Sequence, residues 1–262
     1  MEETAARRAA EVLLAEHKAG VLFRPFAPQD GPATISDAYD IQDRFVSLLR
    51  PQYGDTFGYK VGLTSASMQT FCGINHPIAG VVLAKRFHRS GTTVRLKDFG
   101  RLGLEFEIAV RIKSNIPVSE TPHDVSTIQR HVDGVAAAIE LVDDRSADYA
   151  NLDVRSLVAD NSWNAGIVIS EFTAAWPDLG AALGKATTHG SPIGDGHGRD
   201  ILGHPFNSVI WLASQLASRG EGLRAGQIVM TGSVMKTIFP SESAAYRFDL
   251  EGVGAVEIHV AA

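Results

Sequence analysis

An α+β fold with a largely mixed or antiparallel sheet system is predicted by three features of the sequence. Helical periodicity of the apolar residues is concentrated in residues 1–50. Past Pro51 the texture changes to short apolar runs separated by glycines, the pattern of strands. Strands and further helices then follow one another irregularly, which argues against a doubly wound parallel sheet. The chain has 262 residues, 45% hydrophobic and 21% charged, enough to bury a sizeable core. No internal repeat, low-complexity tract or linker divides it. It therefore reads as one structural unit, a helical N-terminal layer over 1–50 attached to a β-rich body over 51–262.

In the layer, Ala5, Ala9, Val12 and Leu13 mark a helix from Ala5 to His17. A second begins at Thr34 with Asp37 three residues on, a capping-box pattern, and its apolar face is Ala38, Ile41, Phe45 and Leu48. Pro and Gly residues between Arg24 and Pro32 make a loop, and Pro51 is expected to close the second helix. In the body, strands are expected over Phe57–Leu63, Gly80–Leu83, Leu104–Ile112, Val135–Val142, Ala165–Ile169, Gln227–Met230, Ala245–Leu250 and Ala255–Val260. Helices are expected near Ser65–Phe71 and Val125–Val132. A further helix runs from Pro205 to Ser218, with proline in its first turn and Gly220 past its end. Gly194–Gly198 has no apolar flank and reads as a surface loop.

The net charge of −6 without a basic run argues against nucleic-acid binding, which draws its affinity from neutralising phosphates. Cys72 is the single cysteine, so neither an intrachain disulfide nor a thiolate metal cluster can form, and a reducing compartment is expected. No apolar stretch is long enough to span a membrane, and the acidic start is the wrong order for a secretory signal. The expected location is the cytosol. No nucleophile elbow, Walker loop, zincin helix or dinucleotide fingerprint occurs.

The most informative segment is Leu104–Ile112. Alternation puts Leu104, Phe106, Ile108, Val110 and Ile112 on one strand face and Glu105 with Glu107 on the other, about 6.7 Å apart at ~3.3 Å per residue. Two such carboxylates can share a hard divalent cation; the alternative is a half-exposed strand with a wet face of Glu, Glu, Ala and Arg. Glu140 lies in an apolar stretch and needs a cation, a base or a proton, with an Arg145 or Arg155 salt bridge as the alternative. Three carboxylates without His or Cys favour magnesium, manganese or calcium over zinc. Lys60, among apolar strand neighbours, can have a lowered pKa and exchange protons near neutrality, or simply reach for water. Thr231-Gly232-Ser233 follows a strand as a turn whose N–H groups and hydroxyls can hold a carboxylate, or as a plain turn. His204 precedes Pro205 and can cap that helix.

Six segments in order give the chain its likeness. They are Gly58–Ser65, Glu105–Ala109, Ile139–Asp143, Ala159–Asn161, Leu202–Pro205 and Gly226–Ser233. Together they resemble the 2-keto-4-pentenoate hydratase family, within the fumarylacetoacetate hydrolase superfamily, over nearly the whole chain. The resemblance implies a mixed β-sandwich or roll with a helical N-terminal layer. It also implies a magnesium or manganese ion held by Glu105, Glu107 and Glu140, and a catalytic Lys60. Members act on short 2-oxo or 2-hydroxydienoic acids; they add water or, in a sister branch, remove carbon dioxide. The chain departs from the pattern at Ile78, where hydratases often carry an aspartate, at Asp144 in place of serine, and at Trp163 in place of a smaller residue. Hydration is the expected reaction, on the hydratase-like Val209–Ala213 helix and the chain length. Decarboxylation of a 2-oxo-enedioate is the nearest alternative, and a non-catalytic metal-binding partner subunit is another. Thr231, Gly232 and Ser233 are the expected contacts to the substrate carboxylate, and a homo-oligomer is the expected assembly.

Overall fold

The structure, a computed structural model, describes residues 1–116, 118 and 123–262. It is a mixed α+β architecture of two sheets with helices, and its N-terminal helices form a layer. Helices α1 (Glu3–Ala19) and α2 (Ile35–Tyr53) pack on each other. Thr34 caps α2 through the foreseen box: its hydroxyl accepts from Asp37 N–H while the Asp37 carboxylate accepts from Thr34 N–H. Pro51 does not close α2. A proline in the last turn forfeits only one backbone hydrogen bond, and the helix runs on until Gly54, at φ +81, donates to the Arg50 carbonyl.

The larger sheet holds β1 (Thr56–Gly62), β2 (Ile78–Leu83), β3 (Phe87–Arg89), β5 (Leu102–Ile112), β6 (Val132–Asp143), β7 (Asn164–Ile169) and β10 (Ile228–Ser233), in the order β2-β1-β10-β5-β6-β7-β3. The β1/β10 and β3/β7 pairs are parallel and the others antiparallel. The smaller sheet has β4 (Thr92–Arg95), β8 (Leu183–Thr188), β9 (Ser191–His197), β11 (Ala244–Leu250) and β12 (Gly254–Ala261), in the order β4-β12-β11-β8-β9. Gly194–His197 therefore belongs to a strand and not to a surface loop, paired with Leu183–Ala186. Helix α4 (Val125–Gln129) is shorter than expected, because Val132 already starts β6. Helix α5 (Val154–Ala159), whose first turn Asp153 caps, was not foreseen.

Alternation decides how the sheets meet. Leu104, Phe106 and Ile108 on one face of β5 enter the main core, where the Phe106 and Phe248 rings lie 5.6 Å apart and the smaller sheet covers the larger. The opposite face is largely dry as well. Val82, Ala109, Ala136, Ala138, Ile167, Ile169, Ile228 and Met230 form a second apolar cluster there. The larger sheet rolls around that cluster, for Phe57 of β1 meets Phe87 of the last strand, β3, with ring centroids 4.9 Å apart. Small side chains, Ala109 of β5 with Ala136 and Ala138 of β6, let the sheet close tightly around this cluster. Helix α6 (Pro205–Ala217), capped by His204 Nδ1 accepting from Phe206 N–H, packs on β10.

Candidate metal centre

At one end of the roll the apolar filling gives way to charge. Glu105 and Glu107 point inward from β5, and register places Glu105 opposite Glu140 of β6. One oxygen from each of the three carboxylates lies within 4.8 Å of the others. The half-exposed alternative does not hold: Glu107 and Glu140 are fully buried, and the face that carries them lies inside the roll. Lys60 of β1, 5% exposed, brings Nζ to 3.3 Å from Glu140 Oε2. Neither arginine meets Glu140: Arg145 pairs with Asp160 and Glu16, and Arg155 with Asp153.

Each carboxylate has one oxygen tied down. Thr237 Oγ1 donates to Glu105 Oε1 at 2.6 Å, Gly232 N–H to Glu107 Oε2 at 2.9 Å, and Asn164 Nδ2 to Glu140 Oε1 at 2.9 Å. The remaining oxygens of the buried pair, Glu107 Oε1 and Glu140 Oε2, are without a hydrogen-bond partner among the described residues, Lys60 standing beside the latter without a well-aligned bond. Buried carboxylate oxygens are rarely left so. Oxygen-only donors, converged and incompletely satisfied, fit a hard divalent cation.

The electrostatics agree. Burial, then the neighbouring carboxylates, pushes Glu107 well above the usual carboxylate range, and burial raises Glu140 although Lys60 pulls it back. Burial opposes the charge of Lys60, but the three carboxylates outweigh it and its pKa stands above the ordinary lysine value. The sequence-based expectation of a lowered lysine pKa is thus reversed by neighbours that are distant in the chain.

Thr231, Gly232 and Ser233 continue β10 instead of forming a turn, past an irregularity in the β10/β5 pairing. Both hydroxyls and the Gly232 N–H have partners in the fold. Thr231 Oγ1, fully buried, donates to the Ile108 carbonyl, Gly232 N–H serves Glu107, and Ser233 Oγ sits on the Phe106 backbone. These bonds tie all three residues to the glutamate strand. Gly232 has φ +110, and a Cβ there would overlap the Thr64 side chain. Gly232→Ala is expected to lose more than about 1 kcal/mol of stability in urea unfolding and to weaken the cation site, since the Glu107 bond moves with it. A wild-type midpoint would show that the strand adapts.

Sequence reasoning missed Asn164 and Thr237. Each is a lone polar residue far in the chain from the glutamate it serves, so no spacing signals it. Ile78 is 1% exposed and lies near Lys60, its Cγ1 3.6 Å from the position a Gly62 Cβ would take and Lys60 Nζ 2.9 Å from the same point.

A rolled mixed sheet that gathers three glutamates and a lysine inside one end defines the class. The chain belongs to the fumarylacetoacetate hydrolase family, whose C-terminal domain model matches residues 66–261. A 2-hydroxyhexa-2,4-dienoate hydratase of Comamonas testosteroni is 30% identical over 241 residues, 89% of each chain. A 2-keto-4-pentenoate hydratase of Paraburkholderia xenovorans (strain LB400) is 28% identical over 255 residues, 95% of this chain and 92% of that one. Among solved structures, 4-oxalocrotonate decarboxylase from Pseudomonas putida G7, complexed with magnesium and adipate, superposes with a TM-score of 0.92 at 24% identity. It covers 99% of this chain and 98% of that one. No helix among the described residues is long and apolar enough to cross a membrane.

Proposed function

We propose that the protein is a metal-dependent hydro-lyase that adds water to a short 2-hydroxydienoate or 2-oxo-enoate. The observation that carries this reading is the convergence of Glu105, Glu107 and Glu140 beside a buried Lys60, with two carboxylate oxygens unsatisfied. The hydratase relatives, similar over most of the chain, support it. Glu105, Glu107 and Glu140 would hold magnesium or manganese. Bound there, the ion supplies Lewis acidity toward the carboxylate and 2-oxo oxygens of a 2-oxo acid and offsets the negative field of the triad. Lys60, with that field offset, is left with burial, which favours the neutral amine. It is then placed to move the proton as the dienol becomes the 2-oxo-3-enoate, after which water adds at C4, the electrophilic end of the conjugated system. Thr231, Gly232 and Ser233 act by fixing the glutamate strand. The small 2-oxo acid is the partner this chemistry requires; a homo-oligomer working in the cytosol is part of the same proposal.

Ile78 favours a second reading. An apolar wall beside the lysine suits a site that keeps water from a dienolate, as decarboxylation of a 2-oxo-enedioate would need. The deciding assay offers 2-hydroxypenta-2,4-dienoate and 2-oxohex-3-enedioate separately, with magnesium and with EDTA. Magnesium-dependent loss of the dienoate with formation of 4-hydroxy-2-oxopentanoate is expected. Carbon dioxide release from the diacid, with the dienoate untouched, would instead assign the decarboxylase.

A further inference from the structure

We propose that Asn164 is a positioning residue for Glu140, held in place by a left-handed turn that the first helix clamps; this rests on reading the three glutamates as a cation centre. The amide is the one side chain among the described residues that donates a hydrogen bond to Glu140 Oε1, at 2.9 Å. Glu140 Oε2 is thereby turned toward Lys60 and the other carboxylates. A carboxylate rotates easily about its last torsion. Without the amide, Glu140 can swing the wrong oxygen, or neither, into the centre.

What sets Asn164 is unusual backbone. The three residues before it, Asn161, Ser162 and Trp163, all have positive φ, at 49°, 50° and 58°. Non-glycine residues seldom enter that region singly, and three in succession persist only where surrounding contacts over-determine them. Those contacts are present. Asp160, fully buried, accepts from Arg145 Nη2 at 2.7 Å and meets His17 Nε2 of α1 at 2.6 Å. Asn161 bonds both ways to the Val81 backbone, at 2.7 and 2.9 Å, and Ser162 Oγ donates to the Ala79 carbonyl at 2.8 Å. Trp163 packs edge-on against Phe23 and Tyr149.

The same turn also presses on the strand beside the lysine. Gly80, opposite Lys60 in the β1/β2 register, comes so close that a Cβ on it would lie 2.6 Å from the Asn161 carbonyl oxygen. One clamped segment therefore locates Glu140 through Asn164 and borders Lys60 through β2. The N-terminal layer is tied to the centre by His17 and Asp160, not merely stacked beside it.

The test is Mn²⁺ binding to the folded full-length protein, with free ion counted by electron paramagnetic resonance, in wild type, Asn164→Ala and Asn164→Ser. A positioning role predicts a Kd raised about 10–100-fold in both variants, the usual effect of removing a partner behind a metal ligand, with the circular dichroism spectrum and metal-free melting transition retained. A purely structural asparagine would lower the melting transition and leave the Kd of the folded protein unmoved. A Kd within about threefold of wild type overturns the proposal while the cation centre stands. Failure of the wild type to bind Mn²⁺ overturns both. Serine, shorter but still polar, decides by the same criterion if the alanine variant does not fold.

Discussion

Glutamine in place of Glu107 is expected to abolish the thermal stabilisation that the proposed function predicts for magnesium or manganese, and with it the proposed metal-dependent reaction. Ligand that binds only the folded state adds RT ln(1 + [L]/Kd), about 2.7 kcal/mol at an ion concentration of roughly 100 times Kd. For a chain of this size, each kcal/mol moves Tm by about 2–4 °C, so the wild-type response is on the order of 5–10 °C. Glu107→Gln removes a proposed ligand whose Oε1 has no hydrogen-bond partner among the described residues, and the response is expected to disappear. The metal-free variant is expected to melt no lower than metal-free wild type, because glutamine replaces a carboxyl group whose charged form is disfavoured by burial and by Glu140 and Glu105. These two results together separate a lost ligand from a damaged fold. A variant that still gains several degrees with magnesium would place the ion elsewhere. Glu140→Gln should behave alike toward the ion but lower the metal-free transition, since it strands the Lys60 ammonium in a buried site.

Lys60→Met is expected to cut turnover by roughly 10²–10⁴-fold, the usual worth of a positioned proton-transfer group. Ion affinity should hold or tighten, because a positive charge leaves the neighbourhood of the triad. That opposition, tighter ion and slower reaction, distinguishes a proton carrier from a ligand. The metal-free protein loses the counter-charge of Glu140, and breaking a buried pair costs about 3–5 kcal/mol. Excess magnesium during purification supplies the missing charge and keeps the variant measurable. Near-normal turnover under those conditions would reduce Lys60 to a charge-balancing role. Arginine is not expected to rescue, since its guanidinium cannot give up a proton in this range.

What is local in cause was legible before folding. The Thr34–Asp37 box needs only a three-residue spacing, and α2 starts there. Alternation alone separates Leu104, Phe106 and Ile108 from Glu105 and Glu107, because successive strand residues point to opposite faces. An apolar context alone marks Glu140 as a carboxylate in need of a partner. Of the strands, those with apolar runs or apolar alternation are legible, whereas the short β3 and β4 and the glycine-bearing β8 and β9 are not. The glycine, proline and charged residues of β8 and β9 carry little strand propensity, and pairing in the smaller sheet overrides it.

The chain's residues by themselves thus determined an α+β protein with three glutamates and a lysine in strands. Tertiary structure decided that both sides of those strands are covered. Strand periodicity defines two faces but not what covers each; only the closure of the larger sheet, Phe57 on Phe87, put the glutamate face inside. It also decided the charge on Lys60, since burial by itself would have favoured the neutral amine and three carboxylates brought from β5 and β6 reversed it. Asn164 and Thr237 gained their meaning the same way. A hydrogen bond of 2.6–2.9 Å demands placement that spacing along the chain cannot express, and only the register of β5, β6 and β7 and the loop after β10 supply it.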